Sequence, residues 1–231
     1  MKKLFKVLLV LVVAFSVTAC KETDAKRFKK EYESLNNKKV EGTKNKYRKV
    51  KIRSNNSFIY KDASDIIEMI NNKESFIVYF GFSECPWCRS VIEELDKASK
   101  DLNYKEIYYV DIKNIRDKYE LDSKNKLVLK ENGTSDYKEL VQLLDEVLDK
   151  YVITTKDGKE INVGEKRIYA PNIISVSNGR AKKLETGISD KQKDAYQELT
   201  DKMKNETYKK FKCQIKCLME EETKCTSKNM C

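Results

Sequence analysis

Seven cysteines carry the reactive chemistry of this 231-residue chain, which contains no histidine. Cys–His and Ser–His–Asp catalysis and imidazole-ligated metals are therefore excluded. Cys20 closes an apolar N-terminal run, Cys85 and Cys88 bracket Pro86 and Trp87, and Cys213, Cys217, Cys225 and Cys231 gather near the C-terminus. A C-x-x-C pair at a helix start has a particular capacity. Unpaired backbone N–H groups and the helix dipole stabilise a thiolate on the first cysteine and lower its pKa. Cys88, three residues on, continues backwards the apolar stripe of Val91, Ile92 and Leu95 and so faces the interior. The pair divides the labour: exposed Cys85 exchanges with an external disulfide, and shielded Cys88 resolves the mixed disulfide. Pro86 and Trp87 set how well the thiolate is held, and Glu84, a neighbouring negative charge, is expected to oppose it. A structural disulfide and half of a zinc site are the plainer uses of this spacing.

The flanking pattern supplies the elements that position the pair. Ser75 to Phe82 (SFIVYFGF) is a β-branched and aromatic run, predicted as a central strand buried on both faces. From Pro86 to Leu102 the residues Val91, Ile92, Leu95, Ala98 and Leu102 mark one helix face, with Pro86 suited to the first turn because no N–H is needed there. Glu106 to Ile112 (EIYYVDI) is the next buried strand, so the cysteines sit at the first turn of a βαβ unit. Upstream, Val50 and Ile52 alternate with Lys51 and Arg53 as a half-buried strand, and Asp62 or Ser64 can cap a helix carrying Ile66, Ile67, Met69 and Ile70 and ending at Asn71 and Asn72. Downstream, Tyr169, Ala170 and Pro171 lead into a strand (NIISVS), an Asn178–Gly179 turn and a return strand from Arg180 to Glu185. A last helix is predicted from Asp190 to about Leu218, with Tyr196, Leu199 and Met203 on the sheet.

This order, with CPWC at the strand-to-helix turn and Ala-Pro before a later hairpin, resembles the thioredoxin fold. The resemblance covers residues 48–205 and implies a thioredoxin-like three-layer αβα sandwich. It implies that Pro171 is a cis proline packed against the cysteine pair, and that Ala170 and Tyr169 present a substrate-binding edge to an extended chain. The sequence departs from small thioredoxins in three places. An insertion over 113–166 precedes the cis-Pro loop, expected to hold a helix (Tyr137, Leu140, Val141, Leu144, Val147, Leu148) and a hairpin around Lys156, Asp157 and Gly158. Tyr79 stands where the family has a buried acid, and Glu84 where it has a tryptophan. The pattern is also similar to thioredoxin-like lipoproteins and bacteriocin-accessory proteins of Gram-positive bacteria. Phe82, Trp87 and Tyr169 are candidates for an apolar collar around the active turn.

The N-terminus reads as a leader. Lys2, Lys3 and Lys6 precede the apolar run Val7 to Val17, too short to span a bilayer as a stable helix, and Val17-Thr18-Ala19-Cys20 resembles a bacterial lipobox. The expectation is a lipoprotein signal peptide over 1–19, lipid on Cys20 and a place on the outer face of the cytoplasmic membrane. Residues 20–47 are then tether plus a docking helix bearing Phe28, Tyr32 and Leu35. Export leaves thiols free to pair. In the Cys-rich helix and tail over 206–231, Cys213 and Cys217 fall opposite the face formed by Tyr208, Phe211, Ile215 and Leu218. A returning tail best fits Cys217–Cys225 with Cys213–Cys231 among three connectivities, as structural disulfides stapling the tail; a relay pair and a four-thiolate metal site are the alternatives. The formal charge of +10 is scattered along the chain and reads as solvated surface, with no nucleic-acid partner outside the cell. The reading is a thiol–disulfide oxidoreductase acting on protein or peptide thiols and disulfides with a membrane redox partner, and with no bound cofactor or metal. Its rival is a binding or accessory lipoprotein of the bacteriocin export or immunity type, with an inert disulfide.

Overall fold

The computed structural model describes residues 22–220. The predicted leader, Cys20, and the tail cysteines Cys225 and Cys231 with their pairing lie outside the described residues. In chain order the elements are α1 (Asp24–Glu33), β1 (Phe58–Tyr60), α2 (Ala63–Asn71), β2 (Phe76–Gly81), α3 (Pro86–Asp101), β3 (Ile107–Asp111), β4 (Lys118–Leu121), β5 (Leu127–Glu131), α4 (Ser135–Leu143), β6 (Asp149–Thr154), β7 (Glu160–Arg167), β8 (Asn172–Ser177), β9 (Arg180–Glu185) and α5 (Asp201–Met219). The fold is mixed α/β. Its main sheet has the order β1-β3-β2-β8-β9, with β1, β3 and β2 parallel and β8 and β9 antiparallel. The pairs β4–β5 and β6–β7 are separate hairpins.

Every residue of β2 is buried, which accounts for its unbroken apolar run. Alternation along the strand sends Ile77 and Tyr79 into a core with α1, α3 and α5, and Phe76, Val78 and Phe80 into a second core with α2 and α4. Asp62 caps α2 through a reciprocal box with Asp65. The β8–β9 turn takes Asn178 and Gly179 at φ 50° and 70°, the left-handed pair a two-residue hairpin requires. A Cβ on Gly179 would also lie 2.3 Å from the Ile70 carbonyl oxygen, so this turn admits only glycine. Among the described residues, no helix is long and apolar enough to cross a membrane.

Four expectations change. The N-terminal helix docks on the domain through Phe28 and Tyr32 as expected, but more deeply than a tether would: both are 0% exposed and belong to the core. Phe28 stacks on Phe58 with centroids 4.0 Å apart and meets Tyr109 edge-on at 4.9 Å. Burying two such rings stabilises the fold by about 1.5–3 kcal/mol each. Leu35, predicted on the same face, follows the Ser34 cap and is half-buried.

Val50 and Ile52 are buried but form no strand. Side chains replace a ladder partner: Val50 N–H donates to Asn36 Oδ1 at 2.9 Å, Ile52 N–H to Glu33 Oε1 at 2.8 Å, and Lys51 N–H to Glu93. Residues 113–166 hold two hairpins rather than one. β4 and β5 bury no residue completely, so they show no strong periodicity. Their turn is held by Asp122, whose Oδ1 accepts the N–H groups of Lys124 and Lys126 at 2.8 Å each. α4 stops at Leu143, and Val147 lies in a 3-10 turn whose exit carries buried Leu148 into β6.

Finally, α5 starts at Asp201, capped by the Thr200 hydroxyl, rather than at Asp190. The carbonyls of Ala195 and Gln197, which a longer helix would use internally, accept from the Arg48 guanidinium instead. Met203 is buried as predicted, while Tyr196 and Leu199 sit half-buried in the irregular segment before the helix.

Candidate active site

The motif turn forms where β2 ends. Cys85 N–H donates to the Phe82 carbonyl at 3.1 Å, and Pro86 opens α3 with Cys85 as its N-cap. Cys85 caps through sulfur: Cys88 N–H donates to Cys85 Sγ at 3.3 Å. The Cys85 thiol in turn donates to the Ala170 carbonyl oxygen at 3.3 Å, across 85 residues of sequence. The Ala170–Pro171 peptide bond is cis. Cys85, Cys88, Ala170 and Pro171 are thus brought together, and both cysteines are free thiols.

The two sulfurs differ electrostatically. A hydrogen bond from the Cys88 thiol, the backbone N–H groups of Cys88 and Trp87, and the positive charge of Arg116 together hold Cys85 below its ordinary pKa, outweighing its burial. Burial, and then the Cys85 sulfur, push Cys88 well above the usual thiol range. One sulfur is readied as thiolate while the other keeps its proton. Among the described residues no group of three or more Cys, Asp or Glu side chains could hold a metal ion.

No protein-family model and no curated protein sequence matches the chain. The site is therefore read from its own residues, and several sit differently from the sequence expectation. Cys85 is 4% exposed rather than open, because the Ala170 backbone lies over its sulfur. Glu84 is not the lone negative charge the sequence suggests: its Oε1 pairs with Lys113 Nζ at 2.7 Å. Burial pushes the Glu84 carboxyl up, and the Lys113 hydrogen bond and charge overcome it and hold the carboxyl low. The charge that reaches Cys85 is that of Arg116, in the loop after β3.

Tyr169 turns away from a collar. Its hydroxyl accepts from Val152 N–H at 3.0 Å and donates to the Lys150 carbonyl at 3.1 Å, and its ring meets Tyr151 edge-on at 6.3 Å. Phe82 and Trp87 stay half-buried near the motif, packed on the core.

Tyr79 lies behind Cys88. Its hydroxyl hydrogen-bonds Cys88, which restrains the rise in the Cys88 pKa, and lies 2.7 Å from the Tyr32 hydroxyl. Gly81 makes room for this arrangement, since a Cβ there would stand 2.3 Å from the Tyr79 oxygen. Burial, then Cys88, raises Tyr79 far above the ordinary phenol value, so Tyr79 donates a hydrogen bond and takes no proton.

Arg89, one turn into α3 and 1% exposed, donates five hydrogen bonds to four neutral acceptors. They are the carbonyls of Tyr32 (2.8 Å), Arg48 (2.6 Å) and Ser83 (3.2 Å), and Asn36 Oδ1 (2.7 Å). Arg89 thereby ties the strand end before the motif to α1. The apolar spacing of α3 marks its core face without revealing this arginine, whose acceptors lie far away in sequence.

On α5, Phe211 and Ile215 are fully buried and Tyr208 and Leu218 half-buried. Cys213 and Cys217 are half-buried and each is disulfide-bonded, which leaves their sulfurs no thiolate to offer a metal.

Proposed function

We propose that the protein is a membrane-anchored extracytoplasmic thiol–disulfide oxidoreductase of thioredoxin-like fold, acting on protein or peptide cysteines through Cys85 and Cys88. The observation that carries the reading is the Cys85 sulfur at a helix N-cap, lowered in pKa, with buried, protonated Cys88 one turn behind it and the cis Ala170–Pro171 backbone across it. The sheet order with β8 antiparallel to β2, and helices on both faces, supports the family resemblance.

In the reducing direction, the Cys85 thiolate attacks one sulfur of a substrate disulfide. A mixed disulfide forms on Cys85 and the other substrate sulfur leaves as thiolate. Cys88 then attacks Cys85 Sγ, the Cys85–substrate bond breaks, and the substrate is left with two thiols and the protein with a Cys85–Cys88 disulfide. Because Tyr79 cannot act as base, the Cys88 proton passes to the leaving thiolate. A second dithiol, held at the membrane, regenerates the pair; run backwards, the same steps oxidise a substrate. The Ala170 backbone is the edge along which an extended substrate lies, taking over the carbonyl that the resting Cys85 thiol uses. Lipid on Cys20 anchors the domain outside the cell, and Cys20→Ser is expected to release it from the membrane fraction.

Incubating reduced Cys88→Ala with a peptide disulfide tests the chemistry. A covalent adduct on Cys85 that accumulates and is absent from Cys85→Ser is the expected result. No adduct at any peptide concentration would remove the enzyme reading in favour of a partner-binding lipoprotein.

A further inference from the structure

We propose that Arg116 and Arg167 form a subsite beside Cys85 for a substrate carboxylate, so that the preferred substrates carry an acidic residue next to the reacting cysteine. The inference rests on the redox reading and deepens it by naming a substrate class.

The two arginines come to one place from the loop after β3 and from the end of β7. The Arg116 guanidinium carbon lies 5.1 Å from the ring centre of Phe82, the residue whose carbonyl accepts Cys85 N–H. Arg167 ends β7, two residues before Tyr169 on the approach to Ala170. Its guanidinium carbon stacks 3.9 Å above Tyr151 and lies 5.9 Å from the Tyr169 ring. Tyr137, whose hydroxyl accepts Ile168 N–H at 3.3 Å, feels both guanidinium charges, and each arginine lies within electrostatic reach of the other.

Neither guanidinium has a hydrogen bond or ion pair with any described residue, and Nη1 of Arg167 is buried without a partner. Two other arginines near the core, Arg53 and Arg89, are satisfied, and Arg48, which leaves its Nε buried without a partner, still donates to two carbonyls. Arg53 clasps Asp96 at 2.7 and 3.0 Å, and Arg89 spends its donors on carbonyls and an amide. The nearest acid in sequence to Arg116, Asp117, accepts Gly133 N–H on its Oδ1 at 2.7 Å. Two like charges in a partly buried place repel and are costly to desolvate, and an incoming anion relieves both terms. A planar guanidinium matches a carboxylate in two parallel hydrogen bonds. Arg116, the half-buried member, is the contact; Arg167, 7% exposed, lies behind it as a fixed charge. The same field favours the thiolate that leaves when Cys85 attacks.

The test uses two peptide disulfides that differ only in Glu or Gln beside the cysteine, mixed under single-turnover conditions with the reduced protein. The ratio of their rate constants cancels the thiolate fraction of Cys85, so a change in its pKa does not move the readout. The Glu peptide is expected to react roughly tenfold faster in wild type, one charge-assisted contact. Arg116→Gln is expected to bring the ratio to about one, Arg116→Lys to keep part of it, and Arg167→Gln to lower it part-way. High salt should compress the ratio. A ratio near one in wild type, or one that Arg116→Gln leaves unchanged, overturns the subsite. If neither peptide reacts, the redox reading fails instead. Binding of the serine analogues of both peptides, followed by fluorescence anisotropy, then decides the subsite alone: an Arg116-dependent preference for Glu sustains it, and equal binding ends it.

Discussion

Cys85 and Cys88 open one helix, and Cys213 and Cys217 ride another that packs against it. The first pair is spaced i,i+3 at a helix N-terminus and is free; the second is spaced i,i+4 in a helix interior and both members are bonded. Backbone donors explain the difference. At the start of α3 the N–H groups of Trp87 and Cys88 have no carbonyl to meet and turn to the Cys85 sulfur. Residues 213 and 217 lie inside α5, where the helix consumes those donors, and a thiolate there gains nothing from the backbone. The same residue type is a free thiol favoured as thiolate in one helix and a covalent tie in the other because of where in the helix it falls.

The strongest way to break this comparison is Cys85→Ser, which is expected to abolish adduct formation with a peptide disulfide, whereas Cys213→Ser with Cys217→Ser leaves it intact. Positioning comes next. Arg89→Leu leaves several carbonyls without donors at roughly 1–3 kcal/mol each. Phe28→Ala empties a core position and is expected to cost about 3–5 kcal/mol in chemical denaturation. A Phe28→Ala loss under 1 kcal/mol would mean that α1 is a surface appendage.

Reactivity against pH sharpens the contrast within the first pair. The thiolate is the form that reacts, so the lowered Cys85 pKa makes its iodoacetamide labelling level off at lower pH than for an ordinary thiol, and fall as pH drops through that value. Cys88, raised by burial, labels only at higher pH. Arg116→Gln removes a positive charge and moves the Cys85 midpoint upward; mass mapping of labelled peptides reads both sites. Tyr79→Phe is a smaller change. It removes a hydrogen bond to Cys88 and is expected to slow resolution of the mixed disulfide while leaving the first attack unchanged, which stopped-flow traces separate.

Sequence made the motif legible because its determinants are local: Pro86 at a first turn, an apolar stripe on α3, and the buried runs of β2 and β3. The Asn178–Gly179 turn is legible for the same reason, since only φ > 0 satisfies it. The residues that tune the site are not local. Arg116 and Lys113 act on the motif from a loop beyond β3, and Arg89 is read only once α1 is in place. Glu84 shows the same limit: its charge is evident in sequence, its Lys113 partner is not. Val50 and Ile52 show the limit of alternation, since side-chain acceptors can bury a two-residue period without a sheet.

A redox titration of residues 21–231 in glutathione or dithiothreitol buffers, with alkylation and mass mapping of every cysteine, tests the redox role of Cys85 and Cys88 most directly. The Cys85–Cys88 disulfide is expected to reduce at a mild potential, roughly −120 to −270 mV, while Cys213 and Cys217 stay disulfide-bonded. A Cys85–Cys88 disulfide that resists reduction below about −300 mV, as structural disulfides do, would contradict it.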